Sequence, residues 1–342
     1  MRKGWFARPR LLNYADGTNV RMKKTLKVII SALIILLICY FYLIEVKKNW
    51  MSLQDFKFVF NVYYLIIALS FYLFSYILET FIWQVCINRH LGRHELNLTR
   101  SIAVVNASGL LKYVPGRIWT YTAQLLWLEK YNISKSLILY VNLICIAGSV
   151  IVSLYLSLIY LAMYTNIFGA VVLIALSTAL ILFNIAYIAW NSILMNKLIT
   201  IINHLFKRDI QPLNESMSLI ILIQSVYICS WALMGAGGYF LAEGVGLKVP
   251  LTDIFAILAA MSLSWLIGYF AVFSPGGLGI REGFMLLMLN GVTNTATALI
   301  FPLISRLMYL IAEGFLGVAA ILFGFRHNVF LSGRSDINRK VD

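Results

Sequence analysis

Charge is scarce in this chain: 12% of its 342 residues are Asp, Glu, Lys or Arg against 61% hydrophobic, and mean hydropathy is +0.84. That balance excludes a soluble globule and points to a polytopic integral membrane protein. No polar stretch is long enough for a soluble domain. Cysteine is scarce as well. Cys39, Cys86, Cys145 and Cys229 stand singly in apolar runs, which excludes a disulfide framework or zinc knuckle, and they read as small core residues. The four histidines, His90, His94, His204 and His327, lie in or beside basic loops without ligand spacing, so neither a metal nor a cofactor is expected. Acidic residues number 14 against 28 basic ones, a net charge of +14. The cations sit in loops and flanks, where membrane topology and anionic headgroups account for them, and no nucleic-acid partner is expected.

What is present is a series of apolar runs near the roughly 20 residues that a membrane crossing needs. They cover Lys27 to Glu45, Val59 to Ile87, Leu137 to Met163, Phe168 to Trp190, Met217 to Ala242 and Thr297 to Phe325. Two further segments, Ser101 to Leu128 and Asp253 to Asn290, are broken. The expected fold is therefore all-α, about six transmembrane helices plus two re-entrant or broken-helix hairpins. Residues 1–26 and 326–342 read as cytoplasmic tails around a membrane domain at 27–325, with halves 27–163 and 168–325. The first run lacks a small-residue cleavage site and is expected to remain as a helix.

The breaks carry the sharpest signal. Lys112-Tyr113-Val114-Pro115-Gly116-Arg117-Ile118-Trp119 and Ser274-Pro275-Gly276-Gly277-Leu278-Gly279-Ile280-Arg281-Glu282-Gly283 place Pro-Gly and arginine inside membrane-grade sequence. Irregular backbone at that depth is tolerated where protein buries it or where it lines a wet cavity. Too few apolar positions precede Pro115 for a crossing, so the first broken segment reads as a re-entrant hairpin. In the second, Ile254 to Phe273 is long enough to cross and Ile280 to Leu289 is not. Pro115 and Pro275 stand about half a chain length apart, the pattern of an inverted-topology repeat with a site between two broken helices. Gly276, Gly277, Gly279 and Gly283 read as a tight turn and close helix packing before any phosphate cradle.

Lys and Arg crowd the amino end, from Arg2 to Lys27, and recur at Arg89, Arg93, Arg100, Lys130, Lys135, Lys197, Lys207, Arg208 and Arg326. The positive-inside rule puts all of these on the cytoplasmic side of a cytoplasmic (inner) membrane, both termini included, if each hairpin enters and leaves on one face. Lys47, Lys48 and Lys57 run against this assignment.

Seven ionisable residues fall at membrane depth: Glu79, Lys112, Arg117, Arg281, Glu282, Arg306 and Glu313. Each costs about 2.5 to 3.5 kcal/mol at a helix centre, so a lipid-facing position is excluded for the set. Arg306 and Glu313, two helical turns apart, share one face, which should look inward. The arginines and Lys112 suit a lipid phosphate, with the glutamates balancing them or meeting a cationic substituent. The plainer alternative is a set of salt bridges tying helices together, with Lys112 and Arg117 snorkelling to the interface. Trp119, Tyr121, Trp127 and Trp265 read as interfacial anchors or core packing.

At the two Pro-Gly motifs the chain resembles the lysylphosphatidylglycerol synthase transmembrane-domain family, flippase-like proteins similar to the membrane half of bacterial multiple peptide resistance factors. The resemblance implies translocation of lipid between leaflets rather than catalysis. The aminoacyl-transferase of such proteins is a separate domain, for which the short polar stretch after Phe325 has no room. The implied cargo is an anionic phospholipid or a polyprenyl-phosphate-linked sugar. The implied partners are membrane lipids and glycosyltransferase or other cell-envelope biosynthesis proteins. Two rivals are a membrane-embedded lipid-modifying transferase with Glu79 or Glu282 as base, and a non-transporting partner of a glycosyltransferase system.

Overall fold

The computed structural model describes residues 40, 43–44, 47–48, 54, 56–114, 118–164, 169–206, 215–271, 274–326 and 329–330. The expected span Lys27 to Glu45 and the amino-terminal tail lie almost wholly outside the described residues, as do Pro115, Gly116 and Arg117.

The described residues form helices and no strand. In chain order these are α1 (Val62–Leu91), α2 (Leu98–Gly109), α3 (Ile118–Leu128), α4 (Lys135–Tyr164), α5 (Ala170–Ala189), α6 (Asn191–Phe206), α7 (Met217–Gly244), α8 (Ile254–Phe270), α9 (Ile280–Leu289) and α10 (Thr295–Arg326). Local chemistry sets several ends. The side chain of Asn61 accepts from the N–H groups of Tyr63 and Tyr64 to start α1, Asn97 does the same for Arg100 in α2, and Ser216 for Leu219 in α7. Gly92 closes α1 at φ +63°, a conformation open to glycine without penalty.

Contacts at the helix ends sort the elements onto two faces. On one, the Asn61 N–H donates to Gly244 O at 2.8 Å, Asn294 Nδ2 to Lys248 O at 3.1 Å and the Tyr164 hydroxyl to Thr252 O at 3.2 Å. On the other, Arg89 donates to the Ser216 hydroxyl at 2.9 Å, Asn88 bonds both backbone groups of Leu96, and Arg100 lies over the Tyr131 ring. These will be called the Lys248 face and the Arg89 face.

The chain then reads as two series of opposite sense. In the first, α1 runs to the Arg89 face, α2 and α3 form a hairpin opening on that face, and α4 returns to the Lys248 face. In the second, α7 runs to the Lys248 face, α8 and α9 form a hairpin opening there, and α10 returns to the Arg89 face. This inverted order is the arrangement anticipated from the spacing of the two breaks.

Six helical segments among the described residues are long and apolar enough to cross a membrane, and one of them is Leu251–Phe270. The α8–α9 hairpin nevertheless starts and finishes on the same face, because Met288 near its end accepts from the Tyr160 hydroxyl close to Thr252 and Tyr164. Apolarity permitted a crossing by its first limb; the glycine turn folds the chain back. A second difference is α6, sixteen residues where the sequence reading had only a basic loop. A third is Cys229, which is exposed on the outward side of α7, whereas Cys86 and Cys145 are buried as expected.

Packing centres on α7, which lies along α1 and against α8. Glycine makes this approach possible: a Cβ on Gly237 would stand 2.8 Å from the Tyr72 ring, and one on Gly235 2.8 Å from Leu258 Cβ. The outward faces of α1, α5, α7 and α10 carry exposed Leu, Ile, Val and Phe, such as Ile174, Ile228 and Phe315. A bilayer is the environment that covers such a surface. The molecule is a multi-pass membrane protein.

Candidate functional site

The two hairpins enter from opposite faces and their tips touch. Tyr113 closes the short 3-10 turn after α2, and Gly276 sits in the turn before α9; a Cβ on Gly276 would lie 2.6 Å from Tyr113 Cε1. Gly276, Gly277 and Gly279 all have positive φ, so the tight turn expected of this motif is what forms. Arg306 stands 11 residues into α10, about 17 Å along its axis at 1.5 Å per residue, and donates from Nη2 to Gly276 O at 3.1 Å. The tips therefore meet within the membrane's interior. A carbonyl left without a helical partner is satisfied there by an arginine.

Around this junction two charged clusters assemble. In the first, Glu313 of α10 accepts Lys112 Nζ at 2.5 Å and the Tyr76 hydroxyl at 2.5 Å on one oxygen, and the Tyr113 hydroxyl at 2.6 Å on the other. Lys112 does not snorkel: its ammonium turns inward and bridges hairpin to α10. In the second, Arg306 Nε faces Glu282 Oε1 at 3.4 Å, with both residues 7% exposed. Arg306 also stacks above Tyr113, its guanidinium carbon 5.7 Å from the ring centre, so the two clusters share one aromatic wall. Arg306 and Glu313 face inward together, as their spacing required.

Arg281 is different. Its Nε, like Arg306 Nε and both Glu282 oxygens, is buried without a hydrogen-bond partner among the described residues, but no carboxylate there lies within ion-pair distance of Arg281. It is held by absence of bulk, because a Cβ on Gly268 of α8 or on Gly277 would occupy its side chain's space. Lys112 and Arg306 lie within electrostatic reach of the same region. Arg281, Glu282 and Arg306 line a slot of about 10 Å³ with Ser264, Trp265 and Ser305, room for roughly one water.

Glu79 stands apart from the ion pairs. Its Oε1 accepts from the Ser230 hydroxyl at 2.8 Å, and its side chain lines a larger cavity of about 200 Å³ bounded by α1, α2, α3, α4 and α7.

Of the seven predicted charged residues, then, Lys112, Arg281, Glu282, Arg306 and Glu313 come together at the hairpin junction, Glu79 lies beside it, and Arg117 falls outside the described residues. Pro275 and Gly279 sit in the second turn; Pro115 and Gly116 are not described. Of the aromatic residues, Tyr121 lines the larger cavity and Trp265 the slot, Trp127 packs on Phe330, and Trp119 is about half-exposed. The sequence reading missed Tyr76, Tyr113 and Gly268. A search confined to charges passes over a hydroxyl that completes a carboxylate's shell. Only the hairpin fold brings Gly268 under Arg281.

Residues 25–317 match the family model described as Lysylphosphatidylglycerol synthase TM region, and the chain belongs to this family. No curated protein matches the chain.

Proposed function

We propose that this protein is a lipid translocase of the cytoplasmic membrane that moves an anionic headgroup, on a phospholipid or a polyprenyl-phosphate-linked sugar, between leaflets without covalent chemistry. The observation that carries this reading is the meeting of two oppositely directed hairpins around Arg281, a half-buried cation with no ion-pair partner among the described residues. The other cations, Lys112 and Arg306, are each committed to a carboxylate. An arginine outside both ion pairs offers paired N–H donors to phosphate oxygens. Inverted hairpins give such a group two related routes, one toward each face, while the tails stay in lipid.

The positive-inside rule supports the same setting. Arg89, Arg93, Arg100, Lys135, Lys197 and Arg326 belong to the Arg89 face, and Lys57 and Lys248 to the other, which orients the Arg89 face toward the cytoplasm. The carboxyl end of α10 lies on that face.

The test uses protein reconstituted into vesicles with a fluorescent phosphatidylglycerol and a dithionite-type quencher outside. Wild type should expose inner-leaflet lipid to quenching, and Arg281→Gln should slow this about tenfold or more, the scale of losing a hydrogen bond to a charged group. Quenching equal in Arg281→Gln and wild type would remove Arg281 from the mechanism. New lipid products from labelled precursor would overturn the non-enzymatic reading.

A further inference from the structure

The cavity beside Glu79 has chemistry unlike that of the hairpin junction. Among its described lining residues are Thr80, Asn106, Thr120, Gln124 and Asn142, with Glu79 the one charged side chain of that set. A phosphate is disfavoured on that wall, where the described lining residues offer a carboxylate to repel it and no cation. The amides are mutually ordered: Asn142 donates to Gln124 Oε1 at 2.8 Å, Gln124 to the Ser108 hydroxyl at 3.0 Å, and Asn106 to the Thr80 hydroxyl at 3.2 Å. Such a ladder fixes the direction of each remaining lone pair and N–H.

Two of the lining residues each carry a buried polar atom without a partner among the described residues. These atoms are the indole Nε1 of Trp83, a residue 3% exposed, and the Thr120 hydroxyl. A buried N–H without an acceptor is unfavourable, so these atoms point to hydrogen bonds that a ligand supplies. The indole can only donate, Glu79 accepts when ionised, and the hydroxyl and amides do both. Groups that answer all of them must donate and accept at several points. Trp83, Tyr121 and Tyr227 add apolar ring surface. At about 200 Å³ the space far exceeds the 10–15 Å³ that one water needs, and it suits a single small polar ring rather than an acyl chain.

We infer that this cavity binds an uncharged polyhydroxylated group, a sugar or cyclitol, attached to the phosphate that the hairpin junction receives. The inference rests on the translocase reading for that phosphate and adds the class of headgroup. Glu79 accepts from ring hydroxyls, Trp83 one turn further along α1 and Thr120 on α3 complete their hydrogen bonds, and the aromatic faces lie against C–H surface. An ammonium headgroup competes for Glu79 and the rings but leaves the Trp83 N–H unanswered.

Binding separates this inference from transport. Purified protein in detergent is titrated with dioleoyl lipids sharing one pair of tails, with affinities read by native mass spectrometry: phosphatidylinositol, phosphatidic acid and phosphatidylethanolamine. Wild type should prefer phosphatidylinositol to phosphatidic acid. Trp83→Phe and Thr120→Val, which keep ring and shape, should each reduce phosphatidylinositol affinity about fivefold, the scale of one hydrogen bond, and leave phosphatidic acid within twofold. Glu79→Gln should also spare phosphatidic acid. The inference is overturned if the variants weaken both lipids equally, if no preference exists, or if phosphatidylethanolamine binds best and loses most in Glu79→Gln. A selective cavity in a protein that moves no lipid in vesicles would sink the translocase reading and leave this site standing. Transport with an unselective cavity would do the reverse.

Discussion

Single residues at the hairpin junction are committed unequally. Glu313 accepts from three donors, Lys112, Tyr76 and Tyr113, and so fastens α1, the first hairpin and α10 at one point. Buried ion pairs of this kind contribute little over an apolar replacement, but breaking one leaves a stranded charge that costs about 3 to 5 kcal/mol. Glu313→Ala should therefore lower thermal stability sharply in detergent, measured by the temperature at which monodisperse protein is lost on size-exclusion chromatography. The double change Lys112→Met with Glu313→Leu should recover most of that loss. Recovery no better than the single variant would show that the pair holds more than its own charges. Arg281, by contrast, is poised rather than paired, so Arg281→Gln should leave the same chromatographic profile close to wild type.

At the scale of elements, the second hairpin is shaped by glycine. Gly276, at φ +61° and pressed on Tyr113, has neither the backbone nor the space for a side chain. A residue with a Cβ pays about 1 to 2 kcal/mol for a left-handed conformation before any clash. Gly276→Ala is expected to impair transport in the vesicle assay more than Gly314→Ala, since nothing lies within 4 Å of a Cβ at Gly314. Gly268→Val should mimic Arg281→Gln by evicting the arginine from its cradle, with purified yield retained. A Gly268 variant with full transport would detach Arg281's position from its task.

At the scale of the molecule, opposite entry of the hairpins makes orientation testable. In a variant stripped of native cysteines, Cys229 first because it is exposed, single cysteines at Arg93 and at Lys248 should react from opposite sides with an impermeant maleimide in intact cells. Labelling of both from outside would contradict the two-faced arrangement. Labelling at Arg93 alone from outside would invert the proposed orientation.

Much of this architecture is written in the chain. Runs of apolar residues specify helices because a bilayer offers backbone groups no other partner, and Pro-Gly within such runs specifies breaks for the same reason. The inward face of Arg306 and Glu313 follows from the helical period alone. Charges that lipid will not accept announce an interior site, though the chain does not say which will pair. Three-dimensional packing decided that Lys112 reaches Glu313, that Arg306 takes Glu282, and that Arg281 is left outside both ion pairs. It also turned Leu251–Phe270, apolar enough to cross, into one limb of a hairpin. These outcomes depend on contacts between residues up to about 200 positions apart, such as Lys112 with Glu313, and no local rule of propensity or spacing reaches so far.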